Sequence, residues 1–213
     1  DTISSNNPLD TVSELVKENG YDYIDLGLSV KWATCNIGAK RPEEFGDYFA
    51  WGETKPKSTY DWSTYNWCRG TNATLTKYNN HSRYGIADNK ITLELTDDAA
   101  HTNWGGKWRI PTKSEWEELQ NNTTWQKVIY NGIYGYEIVS HVDINAKIFL
   151  PAACYDDEED EAGSNMGFCI YWANSINVEN PYEAHCLESS MGNFHWGTMT
   201  TDRCFGVPIR AVF

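Results

Sequence analysis

Trp108-Arg109-Ile110-Pro111-Thr112-Lys113-Ser114-Glu115-Trp116-Glu117-Glu118-Leu119 is the stretch that decides the reading of this chain. A short apolar run meets Pro111, which cannot continue a strand ladder and biases the residue before it toward extended backbone. Thr112 is followed three positions later by Glu115, the pairing of a capping box that satisfies orphan amides at a helix start. Trp116 and Leu119 then fall on one helical face at i, i+3 spacing. The segment reads as strand end, sharp corner and capped helix.

On either side of it the hydrophobic period changes several times. Pro8 to Asn19 reads as a helix, with Thr11 and Glu14 as a second capping box, Val12, Leu15 and Val16 as the apolar face, and Gly20 at C′. Tyr21 to Leu26, Val30 to Thr34 and Tyr48 to Trp51 alternate as strands. A long polar and aromatic excursion from Gly52 to Lys90 carries Trp62, Tyr65, Trp67 and Tyr78. So many rings predict a loop packed by its own side chains. Thr96 to His101 reads as a short helix capped by Thr96. Tyr134 to Pro151 reads as a hairpin turning near Asp143 to Asn145. Asp156 to Glu161 is an unbroken acidic run, a solvated loop with a weak calcium site as the alternative. Ile170 to Trp172 and Cys204 to Phe213 read as strands, with polar, turn-prone sequence between them. No internal repeat is visible. The expected organisation is an N-terminal polar segment and helix over residues 1–20, followed by a single domain over 21–213.

Composition narrows the function. The 213 residues include ten tryptophans and thirteen tyrosines, so aromatic rings must fill much of the core. With 17 basic and 30 acidic residues the net charge is −13, a poor match for phosphate backbones or anionic lipid. No nucleic-acid partner is expected, and no apolar run is long enough to span a bilayer. Six cysteines stand far apart without a CxxC pair, and the five histidines form no ligand ladder with them. A structural zinc site is therefore not expected, nor is any cofactor. Disulfides are open to an exported protein, with Cys35 to Cys68 as the first candidate pair; small buried thiols are the alternative.

The quoted stretch resembles the "R-L-P-T-x-x-E-W-E" segment of formylglycine-generating, sulfatase-modifying enzymes, through Arg109, Pro111, Thr112, Glu115, Trp116 and Glu117. Arg203 to Arg210 is similar to the closing "R-x-x-G-x-x-V-R" strand of those proteins. Asp25 to Asn36, Gly46 to Glu53, Gly105 to Thr112 and Phe149 to Ala153 resemble surface proteins and lipoproteins of gut Bacteroidetes that carry the Fibrobacter succinogenes major paralogous domain. The resemblance implies an α+β domain of C-type lectin-like fold, with two helices flanking a small, twisted, mostly antiparallel sheet. It also implies an extracellular, cell-surface location as an outer-membrane lipoprotein, with any membrane link supplied by a lipid anchor that this sequence does not carry. The tail is similar, too, to variable proteins of diversity-generating retroelements, whose mutable segment ends in a "G-x-x-[VI]-R" strand. In that family asparagine codons are randomised. Cys169, His185, Cys186, Thr201 and Cys204 are reachable from such a codon, whereas Trp172, Glu179, Glu183, Glu188, Met191, Trp196 and Met199 would be fixed. A diversified binder and an ordinary paralogue both fit these strings.

Catalysis is not expected. The cysteine cluster that the enzyme resemblance implies is not reproduced, since Cys169, Cys186 and Cys204 are seventeen and eighteen positions apart. Cys204 beside Arg203 reads more readily as a core thiol than as a thiolate. No Glu-Pro-Asn or Gln-Pro-Asp string supports a calcium-dependent sugar site. Stacking of sugars on Tyr182, Phe194 or Trp196 is the alternative to a protein ligand, and Trp172 reads as core. Aromatic anchors mixed with small polar groups suit a recognition surface over residues 167–213. Its candidate contacts are Asn174, Ser175, Asn177, Tyr182, His185, His195, Trp196, Thr198, Thr201 and Asp202, facing a protein or glycan ligand.

Overall fold

The computed structural model describes residues 16–153, 169–189 and 196–213. It is an α+β protein of small antiparallel sheets and few helices, as the class reading expects. A four-stranded sheet runs β1 (Val16–Glu18), β2 (Tyr21–Ile24), β3 (Trp32–Asn36) and then the last strand, β12 (Arg210–Val212). β4 (Tyr48–Phe49) pairs with β11 (Val207–Pro208). β5 (Thr123–Tyr130), β6 (Ile133–Ser140) and β7 (Lys147–Pro151) form a meander. β8 (Cys169–Ile176), β9 (Glu183–Ser189) and β10 (Trp196–Asp202) form another, in the order β10-β9-β8. The helices are α1 (Ala99–Trp104) and α2 (Lys113–Asn121), beside two short 3-10 turns.

Thr112 caps α2 as its sequence requires: its hydroxyl accepts from Glu115 N at 3.1 Å, and the Glu115 carboxylate accepts from Thr112 N at 2.7 Å. Glu115 also takes a two-point bond from Arg109, at 2.8 and 2.6 Å, tying the corner to the helix. Arg109 and Val212 exchange backbone bonds, so the strand end before the corner is a single bridge to β12.

β8 is the spine of the core. Ile170, Trp172 and Ile176 face one cluster, with Trp51, Trp108 and Ile209; Cys169, Tyr171 and Ala173 face the other, with Trp32, Trp116 and Leu187. Burying so many indoles needs outlets for their N–H groups. Trp51 donates to Ala173 O at 2.8 Å, Trp116 to Trp172 O at 3.1 Å and Trp172 to Phe49 O at 2.7 Å. Trp172 is thus a core ring. The excursion over 52–90 is packed as expected, with Tyr65 and Tyr78 buried and Trp67 donating to Gly52 O at 2.8 Å.

Several expectations are corrected. Val16–Glu18 is a strand, so the end of the expected N-terminal helix is not helical, and its capping box lies outside the described residues. Asn19 and Gly20, with φ of 47° and 89°, form the hairpin turn to β2 instead of a helix C-terminus. α1 is capped by Asp98 and not by Thr96, because only the Asp98 carboxylate reaches an N-terminal amide, that of His101, at 3.0 Å. Cys35 and Cys68 are both free thiols. Cys68 donates to Trp62 O at 3.1 Å inside the aromatic excursion, and Cys35 sits on β3 next to Thr34. The polar stretch after Trp172 contains two full strands, β9 and β10. The acidic run at 156–161 lies outside the described residues.

Candidate functional site

The site is built from the β8–β9 turn, β9 and β10, and the first turns of α2. Asn177 closes the turn: its N–H donates to Glu183 O at 3.0 Å, its amide donates to Glu183 Oε2 at 2.9 Å, and its Oδ1 accepts from Glu179 N at 3.0 Å. Asn80 donates to Val178 O at 2.8 Å from one side. From behind, Arg203 is fully buried and donates to Pro181 O at 2.8 Å, Tyr78 O at 2.9 Å, Lys77 O at 3.1 Å and the Tyr65 hydroxyl at 2.9 Å. Its guanidinium lies 4.9 Å from the centre of the Trp51 ring. The turn that presents Tyr182 is therefore fastened to the aromatic excursion through the Arg203 and Asn80 side chains.

Residues directly opposite in an antiparallel ladder share a face. β9 and β10 pair without interruption from Trp196↔Ser189 to Asp202↔Glu183. His185 thus lies beside Thr200, and Leu187 beside Thr198, on the face that α2 covers in part. Thr198 donates to Glu117 Oε1 at 3.0 Å, and Lys113 Nζ stands 3.7 Å from the same oxygen. Thr200 donates to Glu183 Oε2 at 2.8 Å. His185 stands among Lys113, Glu117 and Glu183; its Nδ1 is buried and has no hydrogen-bond partner. Burial first, and the Lys113 ammonium second, hold its pKa below the usual imidazole value. At the other end the Tyr182 ring lies 5.3 Å from that of Tyr84, tilted by 57°.

These contacts link Lys113, Glu117, Thr198, His185, Thr200, Glu183 and Asn177 into one strip, and Tyr182 flanks its end against Tyr84. Asn177, His185 and Thr198 are the expected residues that it gathers, all half-buried, with Tyr182 beside them. Asp202 is opposite Glu183 in register, but its carboxylate accepts from Trp62, and burial raises its pKa. Asn174 and Ser175 lie two strands from β10, on the far edge of β8. The Asn174 backbone bonds Pro111 O and Leu93 N there, both at 2.9 Å, and Ser175 bridges Thr92. Thr201 is a correction: it pairs with Ala184 on the opposite, core-packed face and is buried. His195 lies outside the described residues, and Trp196 is placed only as the first residue of β10.

Sequence reading missed Lys113, Glu117, Glu183, Thr200 and Tyr84. The period-2 pattern Glu183-x-His185-x-Leu187 and Thr198-x-Thr200-x-Asp202 is the available signal for two of them, Glu183 and Thr200. The thiols nearby are poor nucleophiles. Burial pushes Cys204 up to about 12, and it raises Cys186 further still. Among the described residues no three His, Cys, Asp or Glu side chains converge to hold a metal. An open cavity of about 390 Å³, lined by Arg41, Glu43, Glu44, Phe45, Asn131 and Ile133, shares no residue with the strip. Comparison with protein-family models, with curated proteins and with solved structures finds no match for this chain.

Proposed function

We propose that this is a non-enzymatic ligand-binding protein of the cell surface, an adhesin or receptor, and that the β9–β10 strip is its recognition surface. One observation carries the proposal. Half-exposed Tyr182, His185 and Thr198 are presented by a turn and two strands that Arg203 and the doubly cored β8 hold from behind. A surface fixed before binding loses little entropy on association, and Tyr and His contribute contact area with few rotatable bonds. The reading of the fold as C-type lectin-like is part of the same proposal. It is supported by the capping-box helix and by a closing segment whose two arginines, Arg203 and Arg210, are both buried.

The test is selection of binders by the full chain from a phage-displayed random peptide library and from a glycan array. A Tyr182→Ala/His185→Ala/Thr198→Ala variant with unchanged melting serves as the comparison. Peptides enriched by the parent and lost by the variant support the strip. Enrichment that the variant retains places recognition elsewhere. Glycan binding lost on Tyr182→Ala alone would make the ligand a sugar. Whether the surface is diversified is decided by adjoining DNA: a template repeat differing only opposite template adenines is expected, and its absence removes that part.

A further inference from the structure

Exposed edge strands are commonly protected by a lysine, a proline, a bulge or extreme shortness. β5, the edge of its own meander, is eight residues long and carries Lys127 mid-strand. β10 is also an edge, seven residues long, and reads Trp-Gly-Thr-Met-Thr-Thr-Asp. It has no lysine, no proline and no register shift against β9, and its one charge stands at the end. Met199 is 53% exposed, and among the described residues no atom lies within 4 Å of where a side chain at Gly197 would stand. Among the described residues, 197–200 make no backbone–backbone bond outside the ladder to β9; the Met199 backbone, which faces β9, also bonds the His185 and Cys186 side chains. An antiparallel strand bonds its neighbour with only half of its backbone groups on each side, so the outward half at 197–200 is available to another chain.

Resting on the recognition surface proposed above, we propose that this edge takes up an extended, lysine- or arginine-bearing segment of a partner protein as a fourth strand beside β10. Main-chain bonds would give affinity, and the side chains flanking the edge would select the sequence. Those flanks are acidic: Glu117 is bonded to Thr198, Glu183 to Thr200, Glu188 stands opposite Gly197 and Asp202 closes the strand, with Lys113 as the cation among them. A second copy of this chain would bring the same carboxylates and a net charge of −13 against its twin, so self-pairing is opposed. The partner's side chains alternate between the two sides of the new strand. Cations on the α2 side would meet Glu117 and Glu183, and the next residues would lie over Met199.

The probe is a fluorescent ten-residue peptide alternating lysine with threonine, titrated with the full chain and followed by polarisation and by amide exchange. Saturable binding, with new protection of the amides in 197–200, is expected. Methylating alternate backbone nitrogens on the bonding edge of the peptide should weaken it at least about tenfold, the effect of two lost main-chain bonds. Replacing its lysines by glutamate should abolish binding. Thr200→Pro, which removes an outward-facing N–H, should abolish protection of Thr198; if that variant does not fold, the methylated peptide decides alone. Equal binding by the methylated peptide, no binding at all, or protection of 197–200 by dimerisation without peptide each overturn the proposal. If methylation has no effect but Tyr182→Ala/His185→Ala does, the strip survives as a recognition surface and the edge does not.

Discussion

Arg203 and Arg210 carry charge into the interior, and each is satisfied by dipoles instead of a carboxylate. Arg210 donates to Asn36 Oδ1 at 2.9 Å and to the carbonyls of Ala33, Thr34 and Phe149 at 3.1, 2.9 and 3.0 Å. Burial alone would favour the neutral form and pulls its pKa below the ordinary value, while four aligned acceptors hold the charge in place. Lysine brings three donors from a point instead of five in a planar fork. Arg210→Lys should therefore leave at least one buried carbonyl unbonded and cost about 3 kcal/mol, lowering Tm by about 6–12 °C in a calorimetric scan. An unchanged Tm would show that the carbonyls are hydrated. His185 likewise has its pKa lowered by burial, but its buried Nδ1 has no hydrogen-bond partner among the described residues. Its folded pKa is depressed, so below the unfolded value of about 6.5 the unfolded chain takes up the proton first. The neutral imidazole's stability is whole above that pH and is lost as pH falls from there toward the folded pKa. His185→Gln should flatten the urea midpoint between about pH 7 and 5 relative to the parent; parallel profiles would place His185 in solvent.

At the scale of elements, α2 is the part most fully specified by local chemistry. Removing the cap with Thr112→Ala should cost about 1 kcal/mol, seen as a lower urea midpoint at constant m-value. The same loss should loosen the end of the strip that Lys113 and Glu117 supply. That helix was legible because proline, cap and helical face lie within twelve residues and need no distant partner. The β6–β7 hairpin was legible by alternation. β5 was not seen, although Asn131-Gly132, with φ of 48° and 86°, is a type I′ turn joining it to β6. Asn19-Gly20 is the same signal, and a glycine after an apolar-periodic run fits a helix end equally well. β9 and β10 escaped because one face of each carries polar groups against α2, which reads as loop when the helix is not in view. For the same reason the candidate site was half legible. His185 and Thr198 fall half-buried on the face beside α2, whereas Thr201 turns to the core by a single step of strand alternation. A one-residue change of face cannot be read from composition.

The molecule as a whole is closed by its last few residues. β12 lies against β3 on one side, and Val212 exchanges two bonds with Arg109, both at 3.0 Å, on the other. Phe213 and Lys31 exchange two more, at 2.9 and 3.2 Å. Arg210 reaches Asn36 across 174 positions of sequence. Neither the first sheet nor the corner before α2 is complete until this segment is placed, and contacts so distant in sequence make folding slow. Deleting residues 210–213 removes at least four side-chain bonds, the ladder to β3 and four further backbone bonds, and it exposes the surfaces against which Ala211 and Val212 are buried. At about 1 kcal/mol for each bond, the loss matches the 5–15 kcal/mol that holds a typical domain together. The shortened chain should keep part of its far-ultraviolet dichroism and lose its near-ultraviolet tryptophan signal and its cooperative melt. The same measurement bears on the proposed recognition surface, because its support shares a core cluster that β12 completes through Ala211, next to Ile209. A sharp melting transition in the shortened chain would mean that the β8–β10 sheet and its aromatic support fold as a unit without the closing strand.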